Sequence, residues 1–324
     1  NTGPVCDHAE RILRQNMSAN SFTEDGKDIS TMKINCVILN YNDAETVEKL
    51  VRQIEKYSVL DGIVLVDNAS TDDSWQRLQT LKGEKISVIR AEKNGGYGAG
   101  NNWGIRYAVE VNQATHVVIA NPDVSFSENC IRGLARIFQR HPKVGVAAAG
   151  IEDKNYKPFQ NSWKSQGFVG QLLYMGPVSR RVWARFLYYP ESYFKGKKAV
   201  WVDEVHGSML MVDATAFLEC GGYDEGIFLY QEEMVLARRM RAAGKRTVLL
   251  LTESYYHEHS TTIGKSYQKE LERQKLREQS VLYYMEKYLH INCLQEWIAR
   301  LWFGGIRMEV RVFRCVERLW KRIR

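Results

Sequence analysis

Short apolar runs separated by amphipathic stretches of helical length set the pattern of this chain. Runs at 34–39, 63–66, 86–89, 117–120 and 144–149 are continuous and end in polar residues, as strands buried on both faces do. Between them, residues 45–57, 73–81, 99–111 and 130–140 place apolar side chains at helical spacing. This alternation predicts an α/β fold with a mostly parallel central sheet flanked by helices. Further strands are predicted at 200–205, 208–212 and 247–251, and helices at 214–220 and 233–243. Residues 151–200 are rich in Trp, Tyr and Phe without a period, and are expected to form an irregular, mobile region facing substrate. Residues 1–31 are polar, with no strand period. They are expected to be a disordered extension or a foreign remnant ahead of a domain opening at Met32-Lys33-Ile34.

The C-terminal part differs in kind. Val312, Phe313, Val316, Leu319, Trp320 and Ile323 fall on one helical face, and Arg311, Arg314, Arg318, Lys321 and Arg322 on the other. Trp297, Ile298, Leu301 and Trp302 repeat the spacing before a break expected at Gly304-Gly305. Residues 265–324 hold 14 Lys and Arg against 7 Asp and Glu, a surplus equal to the whole net charge of +7. A basic amphipathic helix with tryptophans suits the plane of an anionic membrane better than nucleic acid. The alternative is a helix packed on the domain or on a second subunit of a homo-oligomer. The expected division is 1–31, a domain at 32–264, and a basic membrane-associating tail at 265–324.

No apolar stretch approaches the roughly 18 residues of a spanning helix, and no secretory signal opens the chain. A cytoplasmic protein, peripheral at the inner face of the cell membrane, is therefore expected. Cys6, Cys36, Cys130, Cys220, Cys293 and Cys315 are scattered, with no Cys-x-x-Cys pair, as free thiols would be.

Candidate chemistry gathers at the strand ends, where open α/β sheets bind ligands. Leu39-Asn40-Tyr41, Asp67-Asn68, Asn94-Gly95-Gly96 and Asn121-Pro122-Asp123 each follow an apolar run. Asp123, at a strand rim, can hold a divalent cation beside a phosphorylated ligand. Asp67 is either a turn residue or an acceptor for a nucleobase or ribose. The glycine-dense run 93–104, with Gly96, Gly100 and Asn101, lets backbone approach a diphosphate at a helix start, or is a plain flexible turn. It lacks the Gly-x-Gly-x-x-Gly spacing of a dinucleotide site. Glu232 and Glu233 open a helix, where the dipole alone favours acids; otherwise one caps and the other is a general base. His257 and His259, at i and i+2 on an extended segment, are structural or supply one metal nitrogen.

Taken in order, these segments resemble the family 2 glycosyltransferases of the GT-A fold, and most closely the bacterial rhamnosyltransferase-like branch that builds surface polysaccharides. The carriers are Val37-Ile38-Leu39-Asn40-Tyr41-Asn42, Val66-Asp67-Asn68-Ala69-Ser70-Thr71-Asp72, residues 94–102, Asn121-Pro122-Asp123-Val124, residues 207–212, Gly221-Gly222-Tyr223-Asp224-Glu225 and Tyr230-Gln231-Glu232-Glu233, closed by Arg239 and Gly244. They span residues 33–264.

The resemblance implies a nucleoside-diphosphate-sugar donor bound by Leu39, Asn40, Tyr41, Asp67, Asn94, Gly96, Gly100, Asn101, Asn121 and Asp123. Asp67 would contact the nucleobase, and Asp123 with His257 or His259 would hold Mg²⁺ or Mn²⁺. Glu233, beside Glu232, would be the catalytic base. Trp201, His206, Gly207 and Asp224 would face a saccharide acceptor, lipid-linked as is common in the family. Two departures stand out: Asn121 replaces an acid of the Asp-x-Asp motif, and Glu233 replaces the more usual Asp. They leave a non-catalytic binding or scaffolding protein of the same fold as the rival reading. A nucleotidyltransferase is disfavoured, because Asn40-Tyr41-Asn42-Asp43 after the first strand offers neither glycine nor lysine.

Overall fold

The computed structural model describes residues 31–152, 158–159, 161–258 and 270–323. Strands β1 (Ile34–Asn40), β2 (Gly62–Asp67), β3 (Ile86–Arg90) and β4 (His116–Ala120) lie parallel in the order β3-β2-β1-β4. Beyond β4 follow β11 (Met209–Asp213), β6 (Val144–Glu152), β12 (Arg246–His257) and β5 (Val124–Phe126). β11 is antiparallel to both neighbours, so β6 and β12 again run with β1. Six strands thus share one direction around a reversed β11, which is the mostly parallel sheet the alternation predicts. Short β7 (Pro158–Phe159) and β9 (Ala199–Val202) add antiparallel to β6 and β12, and β8 (Ser162–Trp163) pairs β10 (Glu204–Val205) off the sheet.

Successive side chains alternate faces and fill two core layers. Cys36 and Ile38 pack with Val47 and Val51 of α1 (Ala44–Ile54) and Leu134 of α4 (Glu128–Arg140). Val37, Val64 and Val66 pack with Ile105 of α3 (Gly96–Glu110) and Leu236 and Met240 of α10 (Glu232–Ala242). Each such buried Val, Leu or Ile contributes roughly 1.5–3 kcal/mol. α2 (Ser74–Gln79) and α9 (Ala214–Glu219) complete the flanks. Local signals set the boundaries. Ser127 Oγ accepts from Cys130 N at 3.1 Å to start α4, which stops at His141 because Pro142 follows.

Three expectations are corrected. Residues 168–194 are not an irregular loop but four short helices, α5 (Phe168–Met175), α6 (Pro177–Val182), α7 (Ala184–Leu187) and α8 (Glu191–Phe194). Each is too short to display a period, and Gly176-Pro177 punctuates the first two. The strand expected at 247–251 runs on to His257, through a bulge in which residues 251–253 have no partner on β6. Gly304-Gly305 does not break the last helix: α12 spans Cys293–Ile323. Two mid-helix glycines cost about 1 kcal/mol each, offset by burial of the flanking Phe303 and Ile306.

α11 (Glu270–Leu289) and the first half of α12 pack onto the domain. Val281, Met285, Ala299, Phe303 and Ile306 enclose Leu172 and Met175 of α5. No helix among the described residues is long and apolar enough to cross a membrane. Because this cluster is continuous with the body of the protein, Phe303→Ala is expected to cost about 3–5 kcal/mol. Calorimetry should show one lowered transition; a separate early transition would mean that α12 is an independent appendage.

Candidate active site

A cavity of about 650 Å³ opens at the carboxyl edge of β1, β2 and β4, where β11 begins and β12 ends. Its lining includes Leu39, Tyr41, Asn68, Asn94, Gly96, Asn121, Asp123, His206, Gly207, Glu232, Glu233 and His257.

One wall is made by the β12 bulge. The three extra residues shift the strand end so that His257 pairs with Val124 of β5. His257 Nε2 then lies 3.3 Å from Asp123 Oδ1, and both side chains are buried. Glu258 N–H donates to the Asp123 carbonyl at 3.0 Å and fixes the approach. Two donor atoms at right angles on a cation with bonds of 2.0–2.1 Å lie about 3 Å apart, so this pair fits a shared Mg²⁺ or Mn²⁺. No group of three His, Cys, Asp or Glu capable of holding a metal occurs among the described residues. A cation here would therefore need oxygens from its ligand, as magnesium sites on phosphates commonly do.

The opposite wall carries two adjacent carboxylates at the start of α10. Glu233 Oε1 accepts from Gly207 N at 3.0 Å. A side chain at position 207 would collide with that carboxylate, so glycine is required for the contact. Burial raises the Glu233 carboxyl above its ordinary range. Burial and then the neighbouring Glu233 charge raise Glu232 further. Glu232 consequently retains its proton longer than Glu233. Glu232 Oε1 is buried without a hydrogen bond among the described residues. The preceding Tyr230 and Gln231 both adopt left-handed backbone, φ 73° and 74°.

The third wall is the glycine-dense turn into α3. Asn68 Nδ2 donates to Asn94 Oδ1 and to the Gly96 carbonyl, at 2.9 and 3.1 Å. Gly96 has φ 89°, and a Cβ there would strike the Phe228 carbonyl, which accepts from Tyr97 N at 3.0 Å. Tyr97 OH donates to the Gly207 carbonyl at 2.8 Å. The turn, the 228–233 segment and the Gly207 peptide are thereby tied together.

Of the residues singled out from sequence, Leu39, Tyr41, Asn94, Gly96, Asn121, Asp123, His206, Gly207, Glu232, Glu233 and His257 meet at this cavity. Asn40, Asp67, Gly100 and Asn101 do not line it. Asp67 is fully buried, accepting from Asn40 Nδ2 at 3.1 Å and Ser70 N at 3.2 Å, with Arg90 Nε 3.2 Å away. Gly100 packs on Leu39, and Asn101 Nδ2 donates to the Tyr97 carbonyl. Trp201 lies elsewhere, its ring 4.2 Å beneath the Arg246 guanidinium. Asp224 is held by Lys287 at 2.8 Å and Tyr288 OH at 2.7 Å, away from the cavity. His259 lies outside the described residues. Trp163, Tyr174, Met175, Arg180 and Arg277 also line the cavity and carry no motif. The aromatic density of 151–200 is the only sequence signal for the first four, and Arg277 has none.

The sequence profile of Glycosyl transferase family 2 matches residues 36–216, more than half of the chain. The chain belongs to glycosyl transferase family 2. A low-salt glycan biosynthesis hexosyltransferase, Agl10, of Haloferax volcanii is 28% identical over 211 residues, covering 64% of this chain and 61% of the archaeal protein. The N-acetylglucosaminyl-diphospho-decaprenol L-rhamnosyltransferase of Mycobacterium tuberculosis is 26% identical over 214 residues, covering 63% and 68%. Among solved structures, the mannosyltransferase PcManGT of Pyrobaculum calidifontis, in complex with GDP-Man and Mn²⁺, superposes with TM-score 0.55 at 13% identity, over 88% of this chain and 72% of that one. GalNAc-T7 with UDP, GalNAc and Mn²⁺ gives 0.54 at 14%, over 90% and 66%. These likenesses establish the GT-A fold for this family 2 member.

Two residues before His206, Glu204 is fully buried opposite Trp163, and burial pushes its carboxyl up to about 8 despite Arg241 nearby. The folded state therefore binds a proton that the unfolded state has released above its ordinary carboxylate range. Its stabilising contribution is complete below that range and is lost as pH rises through about 8. Stability should fall between pH 5 and 9, by an amount on the order of a few kcal/mol. Glu204→Gln should flatten the profile, leaving a residue from Glu232 and Glu233. Urea unfolding across that pH range checks it; an unchanged slope would refute the assignment.

Proposed function

We propose that this family 2 protein is an inverting, divalent-cation-assisted glycosyltransferase of the hexosyltransferase class, rhamnosyltransferase-like. It would move a sugar from a nucleoside-diphosphate sugar to a hydroxyl of a lipid-linked saccharide in cell-surface polysaccharide synthesis. One observation carries the reading: the Asp123–His257 pair and the Glu232–Glu233 pair line the same cavity, with a helix N-terminus at Gly96.

In this reading the donor diphosphate lies between Asp123 and the α3 N-terminus, whose dipole favours phosphate oxygens. Mg²⁺ or Mn²⁺, when bound by Asp123 and His257, would neutralise charge developing on the departing diphosphate. Glu233 takes the acceptor hydroxyl proton, and the freed oxygen bonds to the anomeric carbon. The bond from that carbon to the diphosphate breaks, with its electrons leaving on the nucleoside diphosphate. Attack from the side opposite the leaving group inverts the centre. Glu232, holding its proton longer, limits the negative charge beside the base. Asn121 would bind the donor by hydrogen bonding where the family motif has an acid. Lipid-linked acceptors accord with the decaprenol-linked substrate named for the mycobacterial relative. A location at the inner membrane face, with the basic end of α12 on the lipid, fits such an acceptor.

Glu233→Gln is expected to lower kcat about 10²–10⁴-fold while calorimetric donor binding persists. The acid limb of kcat should lie above the ordinary carboxylate range, since burial raises this group. The assay is nucleoside diphosphate released from a panel of nucleotide sugars with Mg²⁺ and a saccharide acceptor. Turnover by Glu233→Gln equal to wild type would defeat the proposal. Donor binding indifferent to Mg²⁺, with no turnover of any donor, would favour a non-catalytic binding protein.

A further inference from the structure

Beside the cavity, α6 and α7 form a small projecting unit. On its inner side Arg180 lines the cavity, its guanidinium 5.8 Å from the Tyr174 ring. On its outer side Val182 is 66% exposed and Phe186 53%, with Val178 and Trp183 also exposed. Arg181 and Arg185 stand among these apolar groups, exposed themselves. No acidic residue occurs between Asp153 and Glu191. An exposed surface of Val, Trp and Phe interleaved only with arginines is expensive in water and has no charge partner in its own sequence neighbourhood.

α12 runs against this unit. Val178 N–H donates to Glu309 Oε1 at 2.8 Å, and Trp302 Nε1–H donates to the Leu172 carbonyl at 2.8 Å. Ala299, Phe303 and Ile306 turn inward, while Leu294, Ile298, Leu301, Met308 and Val312 recur at helical spacing on an exposed face. Met308, 65% exposed, adjoins the Glu309 that holds Val178, so the α12 stripe and the α6–α7 face meet there.

We infer that α6 and α7 form a second membrane-seating limb, which with the α12 stripe rests the cavity mouth on an anionic bilayer. Three features favour lipid over a second copy of the chain. A symmetric self-contact would set Arg181 and Arg185 against their own copies, and the one acid adjoining them on α12, Glu309, is engaged by the Val178 N–H. Phosphate headgroups would pair them at once. Trp183 and Phe186 belong to the side-chain types that settle at the interface while neighbouring arginines reach the headgroups. Arg180 on the same short helix connects this limb to the cavity. A saccharide whose lipid anchor lies in the bilayer would therefore enter past α6. The inference deepens the lipid-linked reading of the acceptor and rests on it for its purpose.

The test uses the full chain and vesicles of equal parts phosphatidylcholine and phosphatidylglycerol. Flotation should recover the wild type with these vesicles and not with pure phosphatidylcholine. Trp183→Ser/Phe186→Ser and Arg181→Glu/Arg185→Glu should each reduce partitioning at least about tenfold, with unfolding midpoints and turnover of a water-soluble saccharide acceptor unchanged. Trp183 fluorescence, read against Trp183→Phe, should shift to the blue on binding. Wild-type partitioning by both double variants would overturn the inference. So would a concentration-dependent dimer, seen by sedimentation, that the variants abolish while vesicle binding persists. Vesicle binding lost in the variants without turnover of any donor by the wild type would uphold the limb and sink the proposed reaction alone.

Discussion

The peptide at Gly207 is gripped from both sides: its N–H donates to Glu233 Oε1 and its carbonyl accepts from Tyr97 OH. That double grip joins the first turn of α3, the entry to β11 and the start of α10, and it holds Glu233, one of two adjacent carboxylates whose burial is costly. The segment that delivers them is strained as well. Two consecutive non-glycine residues in left-handed backbone cost of order 1–3 kcal/mol each. Restraint comes from outside the sheet: Ser280 Oγ donates to the Leu229 carbonyl at 2.6 Å, and the Arg277 guanidinium lies 4.9 Å from the Tyr230 ring. Both are on α11. α11, which lies beyond the family's matched segment, is therefore a structural part of the cavity, holding the turn that aims Glu232 and Glu233.

This explains which parts of the molecule were legible in sequence. β1 to β4, β6 and the helices between them follow from apolar runs and helical spacing, because a sheet covered on both faces needs continuous Val, Ile and Leu, as in β2. Asn121-Pro122-Asp123 is legible because it ends such a run. The partner of Asp123 is not: His257 reaches it only through the extra residues 251–253, and nothing in a strand pattern of period two announces a bulge. The α5–α8 segment is opaque for another reason. Helices of one or two turns built from Tyr, Phe, Trp and Arg gain their stability from tertiary packing, so their residues show no period of their own. Tyr174 and Arg180 enter the cavity from there, and Trp163 from β8, without a motif. Asp67 shows the opposite limit. A strand-end acid looks available in sequence, yet in the fold Asn40, Ser70 and Arg90 surround it.

The charge distribution follows the same division. Residues 1–264 are neutral, with acids and bases spent on local partners such as Glu48 with Arg77 and Asp213 with Lys245. The excess cations lie in 265–324, and the acid-free run through α6 and α7 adds a second basic zone inside a neutral domain. Neither zone contributes to the sheet core. A packed helix needs only its inward stripe, here Ala299, Phe303 and Ile306, so the apolar outer positions of α12 have no role in folding and require another explanation.

On the proposed reading, replacing an acid by Asn121 also has a consequence for order of events. Asp123 and the neutral imidazole of His257 offer a divalent cation one negative charge where a two-acid motif offers two. Coulomb attraction at short range in a partly buried site is the main term holding such an ion, so the protein alone binds it weakly. A nucleoside diphosphate brings the missing charge and oxygens together. Cation and donor then bind with strong mutual dependence, each raising the other's affinity by the same factor. On this reading the cavity would admit the cation as part of the donor, and would release both together once the sugar has left.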